Sequence, residues 1–197
     1  MSTPQPYAVA ARELLRDTLL DAALHQLAER PWAEVTMAHI AAGAGVSRQT
    51  LYNEFGSRDE FAQALILREA ERFSDAIEQV LNAHRDDPQK ALGAAAELFL
   101  TAAQRNALVR AVASGGADEM LALVTTQGRP VVEFASERLA DAIHERWPEA
   151  GRPQCELLAE NLVRLAISHV ALPSGTPEQT ADAISRLLRP YVAEVLS

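Results

Sequence analysis

Apolar residues recur at helical spacing along almost the whole chain. From 8 to 29, Ala11, Leu15, Thr18, Leu19, Ala22, Ala23 and Leu27 fall on one stripe, the three-and-four repeat of an α-helix face. Pro31 ends that helix, because the residue before a proline is disfavoured in the helical region, and Trp32 and Val35 then offer a hydrophobic plug. Thr36 is placed to cap a helix over about 37–43 and Ser47 a second over about 48–54. Gly43 and Gly45 bracket the turn between them, where the backbone needs a positive φ. Ser57-Arg-Asp-Glu60 is a capping box opening a long helix over about 58–83, with Phe61, Leu65, Ile66, Phe73, Ile77 and Leu81 in register. Asp87-Pro88 starts another over about 88–103. Short helices follow at Asn106–Ala113 and 117–126, then longer ones over 130–147, 153–171 and 177–196, the last opened by Thr176-Pro177-Glu-Gln179. No segment alternates like a strand and nothing repeats internally, so the pattern predicts an all-α protein.

Composition agrees with this pattern. Aromatic residues make up only 5% of the 197-residue chain while alanine and leucine are abundant, a balance that favours helices over sheets. No run approaches the roughly 20 apolar residues that span a bilayer. The start, Met-Ser-Thr-Pro-Gln-Pro-Tyr, carries no secretory signal. Cys155 is the only cysteine, which excludes an intrachain disulfide and argues against a cysteine metal cluster. A cytoplasmic protein without membrane association is the default expectation.

The net charge of −9 argues at first against nucleic acid. The acids are unevenly placed, however. From Thr36 to Asn53 there is none, while Arg48 lies inside that stretch and Arg58 follows soon after. An acidic body with one acid-free polar stretch predicts a small DNA-facing surface, modest non-specific affinity and repulsion of DNA elsewhere that helps orientation. Two short helices joined by a tight glycine turn are the layout of a helix-turn-helix. The outer face of its second helix offers Arg48, Gln49, Thr50, Tyr52 and Asn53. Arginine can pair bidentately with guanine, and glutamine or asparagine with adenine. Leu51 and Phe55 would face inward, and Ile40 and Val46 would hold the two helices together. Spacing alone describes equally well a helical ligand-binding or adaptor protein whose hairpin has a solvated polar face and binds no operator.

The stretches Leu19-Leu-Asp-Ala-Ala-Leu-His-Gln-Leu-Ala-Glu-Arg30, Ile40-Ala-Ala-Gly-Ala-Gly-Val-Ser47, Thr50-Leu-Tyr-Asn-Glu-Phe55 and Ser57-Arg-Asp-Glu60 together resemble the N-terminal domain of the TetR family of transcriptional regulators. The resemblance implies an all-α homodimer, with a helix-turn-helix DNA-binding domain over 1–57 and a helical ligand-binding and dimerisation domain over 58–197. It implies phosphate anchoring by Thr36 and Tyr52, and DNA contacts from Ser47, Arg48, Gln49, Thr50 and Asn53. It also implies a DNA contact from Arg58, which stands in the place of the lysine usual at the start of the fourth helix. Pro31 stands where the family usually has glycine, and Gln26 where it usually has an apolar residue.

The apolar stripes beyond residue 57 supply candidates for an interior cavity: Phe61, Phe73, Leu98, Phe99, Leu108, Met120, Leu123, Val131, Phe134, Leu158, Leu162 and Leu165. The same stripes describe plain core. With no charged constellation among them, a hydrophobic effector with few polar handles is expected. Leu123–Val132, Leu162–His169 and Leu172–Thr176 resemble an actinobacterial subgroup with members linked to alkane or fatty-acyl metabolism, which implies a long-chain acyl or alkane-like effector. Leu165, His169, Ile184, Leu188, Tyr191 and Val195 on the last two helices are candidates for a dimer interface. A two-fold dimer doubles the DNA site that one short helix reads and calls for a palindromic operator.

Enzymatic readings find no support. The five histidines form no metal-ligand spacing such as H-E-x-x-H. Cys155 has no base beside it, Ser114-Gly-Gly-Ala lacks the lysine of a phosphate loop, and Asp86-Asp87 reads as a turn and cap. The expectation is therefore a repressor without cofactor, metal or catalytic residues, released from DNA by a hydrophobic small molecule. The helix starting at Arg58, with a hinge near Gly56, would carry the signal.

Overall fold

The computed structural model describes residues 7–109 and 129–196, and every regular element among them is helical. In chain order they are α1 (Tyr7–Glu29), a 3-10 turn (Trp32–Glu34), α2 (Met37–Gly43), α3 (Arg48–Phe55), α4 (Arg58–Ala83), α5 (Pro88–Arg105), α6 (Arg129–Arg146), α7 (Arg152–Ala171) and α8 (Pro177–Val195). The expected helix at 117–126, the second half of the one at Asn106–Ala113, and the cavity candidates Met120 and Leu123 lie outside the described residues.

Side-chain caps set most of these starts. Thr36, Ser47, Ser57, Asp87 and Thr176 each accept a hydrogen bond from the backbone N–H three residues on, a contact worth about 1 kcal/mol. In α2 the box is closed by His39, whose Nδ1 accepts from the Thr36 N–H at 3.4 Å, the role usually taken by Glu or Gln. α8 runs through Pro190, which has no N–H to return to the carbonyl four residues back.

Only the second half of α1 is built into the body. Leu19, Leu20, Ala22, Ala23 and Leu27 are buried, whereas Ala11 and Thr18, expected on the same stripe, are exposed. In the first turns Leu15 is half-buried against the first core, and Arg12 and Arg16 reach Glu54. Pro31 has extended backbone (φ −66°, ψ 154°) and starts the 3-10 turn, so α1 stops without the glycine usual there. Trp32 and Val35 are buried as a plug.

Two apolar clusters form. The first gathers the second half of α1, the plug, Ile40 of α2, and Leu51 and Phe55 of α3, but also Phe61, Ala62, Leu65 and Ile66 of α4, Leu108 and Val131. This core therefore does not end at residue 57. The second unites Leu81 with α5, α6, α7 and α8. α6 packs on α7, α8 on α5, and α4 on both α5 and α6. α4, 26 residues long and thus about 39 Å at 1.5 Å per residue, contributes to both clusters, as does α6 through Val131 and Leu139.

Candidate DNA-reading face and effector cavity

The turn between α2 and α3 is closed by the backbone. The N–H groups of Ala44 and Val46 donate to the carbonyls of Ile40 and Ala41, both at 3.0 Å. Gly45 sits at φ +70°, a conformation other residues adopt only with strain. Ser47 Oγ accepts from the Thr50 N–H at 3.1 Å and lies 2.9 Å from Thr50 Oγ1. Leu51 and Phe55 point into the core, Phe55 meeting the Phe61 ring edge-on at 4.7 Å. That leaves Arg48, Gln49, Tyr52 and Asn53 on one exposed face. Gln49 Nε2 donates to Asn53 Oδ1 at 2.8 Å. The pairing holds two amides one turn apart and leaves the Gln49 oxygen and the Asn53 nitrogen unspent in that bond. Arg48 stands 6.0 Å from the Tyr52 ring.

The back of α3 is held by α1. Arg16 Nη1 donates to the Glu54 carbonyl at 2.7 Å with its guanidinium 4.2 Å from the Phe55 ring centroid, and Arg12 Nε pairs with Glu54 Oε2 at 2.7 Å. Two cations at the C-terminal end of a helix complement its dipole and one of its open carbonyls.

Arg58, at the start of α4, is engaged with the plug. Its guanidinium lies 4.4 Å over the Trp32 ring and donates to the carbonyls of Trp32, at 2.7 Å, and Val35. These acceptors belong to the short connection between α1 and α2, so Arg58 binds the start of α4 to the plug. The sequence signal for this was present: an irregular stretch around a buried tryptophan leaves backbone carbonyls that need donors.

Above this unit, α4, α5, α6 and α7, with Leu108 and Val109, enclose a cavity of about 140 Å³. Of the residues expected there, Phe73, Phe99, Leu108, Val131 and Leu162 line it, the two phenylalanines edge-on at 5.2 Å. The other described candidates lie elsewhere. Phe61 belongs to the first core, Leu158 is packed inside the second, Leu98 borders an open groove between α4 and α5, and Phe134 and Leu165 are not part of the wall. Small residues that the stripes did not single out make the space: Ala70, Ala95, Ala96, Ala135, Ala142 and Ala166. Facing alanines were the available signal, because a methyl leaves room where leucine would fill it.

The wall also holds charge, contrary to expectation. Glu69 is 5% exposed. Its Oε2 accepts from Asn106 Nδ2 at 2.6 Å and its Oε1 from Arg72 Nη1 at 3.2 Å. Arg138 pairs with Glu78 at 2.6 Å and Asp75 at 2.9 Å. Because these heads are bonded aside, the atoms facing the void are almost all carbon.

The interface candidates pack largely on their own subunit. Ile184 is buried in the second core; Leu165, Leu188, Tyr191 and Val195 are half-buried against it, and His169 is half-buried with its Nδ1 3.5 Å from Ser174 Oγ. The exposed large apolar side chains of α7 and α8 are Leu157 and Leu187. Cys155 is buried, and that burial pushes its thiol pKa up, away from a nucleophile. Among the described residues no group of His, Cys, Asp and Glu could hold a metal ion, and no helix is long and apolar enough to cross a membrane.

A helix-turn-helix with an exposed polar face, carried on a helical body that encloses an apolar cavity, defines a DNA-binding transcriptional regulator with a ligand-binding domain. Comparison with known proteins gives the particular family. Residues 19–65 match the family described as bacterial regulatory proteins, tetR family, and residues 87–190 match the bacterial tetracyclin repressor C-terminal domain. The chain belongs to the TetR family. It is similar to the HTH-type transcriptional regulator AlkX of Mycobacterium tuberculosis (strain ATCC 25618 / H37Rv), at 36% identity over 201 residues, 97% of this chain and 95% of that protein. Among solved structures it resembles the TetR family repressor AlkX from Dietzia sp. strain DQ12-45-1b, implicated in biodegradation of n-alkanes, with a TM-score of 0.82 at 35% identity over 92% of this chain and 97% of that one. RolR in complex with resorcinol shares the fold, with a TM-score of 0.62 at 21% identity over 96% and 98%. Regulators of this family bind DNA operators and act as dimers with small-molecule effectors.

Proposed function

We propose that the protein is a dimeric repressor that binds a palindromic operator in the cytoplasm and leaves it when a hydrophobic chain, alkane-like or fatty-acyl, enters the cavity. The observation that carries this is the cavity wall: almost wholly carbon, with its charged side chains bonded elsewhere. The kinship with a repressor implicated in n-alkane biodegradation supports the effector class. Arg48, Gln49 and Asn53 read base edges, while Thr36 and Tyr52 hold phosphates and Ser47 and Thr50 fix the helix start between them. The DNA-reading unit is residues 1–57 seated on the first turns of α4, and residues 58–197 form the effector-binding and dimerising unit.

A void of about 140 Å³ accommodates a ligand of only about benzene's size. A longer chain must spread the wall, and so binds better to a state in which α4 is displaced. Such differential affinity is what shifts an equilibrium. The test is an operator-shift titration of the purified protein with hexadecane, sodium laurate and resorcinol. Release by the aliphatic compounds and not by resorcinol is expected; release by resorcinol alone overturns the effector class.

A further inference from the structure

The strongest unexplained feature is the buried carboxylate of Glu69. We propose that the hydrogen bond from Asn106 to Glu69 is the joint through which the effector cavity controls the DNA-reading unit, a proposal that rests on the effector reading above. Asn106 has three commitments. Its N–H closes α5 on the carbonyls of Ala102 and Ala103. Its Oδ1 caps the following turn, accepting from Leu108 N at 2.9 Å and Val109 N at 3.3 Å. Its Nδ2 donates to Glu69. Leu108 and Val109 are cavity wall, and Leu108 also belongs to the first core. A ligand that displaces these two side chains moves the turn that Asn106 caps, and so pulls on Glu69.

On its other side Glu69 is linked to α1 through two arginines of α4. Arg72, bonded to Glu69, reaches Asp21 Oδ1 at 3.3 Å. Arg68 pairs with the same oxygen at 2.9 Å and donates to the Asp17 carbonyl at 3.1 Å. α1 in turn holds the end of α3 through Arg12 and Arg16. A second arrangement is within reach. Arg68 Nε and Nη2 are buried without a hydrogen-bond partner, and Nη2 lies 3.6 Å from Glu69 Oε1. A buried carboxylate that loses one partner must find another. When Asn106 leaves, Glu69 draws Nη2 of Arg68 from this long ion pair into a direct hydrogen bond, which turns the guanidinium and loosens Nη1 from Asp21. Two discrete pairings of the same charges make a switch rather than a gradual deformation.

Asn106→Ser keeps a capping oxygen but is too short to reach Glu69, and Asn106→Asp keeps the cap while setting a carboxylate against it. Both full-length variants would be tested by fluorescence anisotropy on a duplex selected by the wild-type protein from genomic fragments, alongside melting curves. The expected result is operator affinity weakened about ten-fold or more, in the range of allosteric couplings, in variants whose melting curves show them still folded at the assay temperature. Adding Glu69→Gln to Asn106→Ser should cost little more, because both act on one joint. Wild-type operator affinity in either folded variant overturns the proposal, as does a loss that appears only where the fold itself melts. Sodium laurate separates the two readings. If it fails to release the wild type, the effector reading fails while the affinity test of the joint still stands.

Discussion

The guanidinium of Arg58 both stacks 4.4 Å over the Trp32 ring and donates to the Trp32 carbonyl at 2.7 Å. One side chain thus satisfies a plug carbonyl and covers the plug's aromatic face. Hydrogen bonds made by a charged donor are worth about 1.5–3 kcal/mol each. Arg58→Ala should lower stability by about 2–3 kcal/mol in urea unfolding. Arg58→Lys should recover less than half of that, since an ammonium cannot match the planar fork. Full recovery by lysine would show that charge alone suffices.

The exposed face of α3 predicts a split between contacts that specify sequence and contacts that hold phosphate. Arg48→Ala and Asn53→Ala should each weaken binding to the selected operator by about 1–3 kcal/mol and relax preference at one base pair. Tyr52→Phe should weaken operator and random duplex alike and leave the salt slope unchanged, because a phenol neutralises no phosphate charge. Anisotropy at several salt concentrations on both duplexes checks this. Equal losses on both duplexes for Arg48→Ala would place it on the backbone instead.

These residues were legible because local chemistry fixes them. Thr36, Ser47, Ser57 and Thr176 are caps whose function depends on neighbours a few residues away, and α3's inward Leu51 and Phe55 follow from period alone. The cavity was only half legible. Leu158 and Leu162 share a stripe of α7 and both belong to the second core, yet only Leu162 reaches the cavity wall. What separates them is the small residues brought opposite by the other helices, which no local pattern records. Glu69 and Asn106 stand 37 positions apart and meet only because α5 folds back along α4. Ile184 looked like an interface residue for the same reason: an apolar helix face does not say whether its partner is its own subunit or another.

Ala166 lines the void from α7. Ala166→Leu should fill it, keep operator affinity within about two-fold, and abolish release by whichever aliphatic probe releases the wild type. Added methylenes in a tight core cost about 1–3 kcal/mol, but here they enter empty space, so the melting temperature should not fall. Unfilled release with the variant would put the effector outside this cavity.

Leu157 and Leu187 are 53% and 66% exposed on α7 and α8. If dimerisation covers this face, Leu157→Glu with Leu187→Glu buries uncompensated charge at the contact. Sedimentation at micromolar concentration should then give a monomer, with operator affinity lost and the helical signal retained. A dimer of unchanged affinity would move the interface elsewhere.

Glu60 closes the capping box of α4, and its hydrogen bonds with Ser57, side chain first and then backbone, hold its pKa below the usual carboxylate value. Because the folded pKa is depressed, the ionised box favours the folded state above the unfolded value of about 4.3. That contribution is lost as pH falls through the lower folded value. Glu60→Gln keeps an acceptor but cannot titrate. Its unfolding midpoint in urea should therefore be lower than wild type near pH 6 and converge with it toward pH 3. Parallel curves across that range would mean that the box contributes through geometry and not through charge.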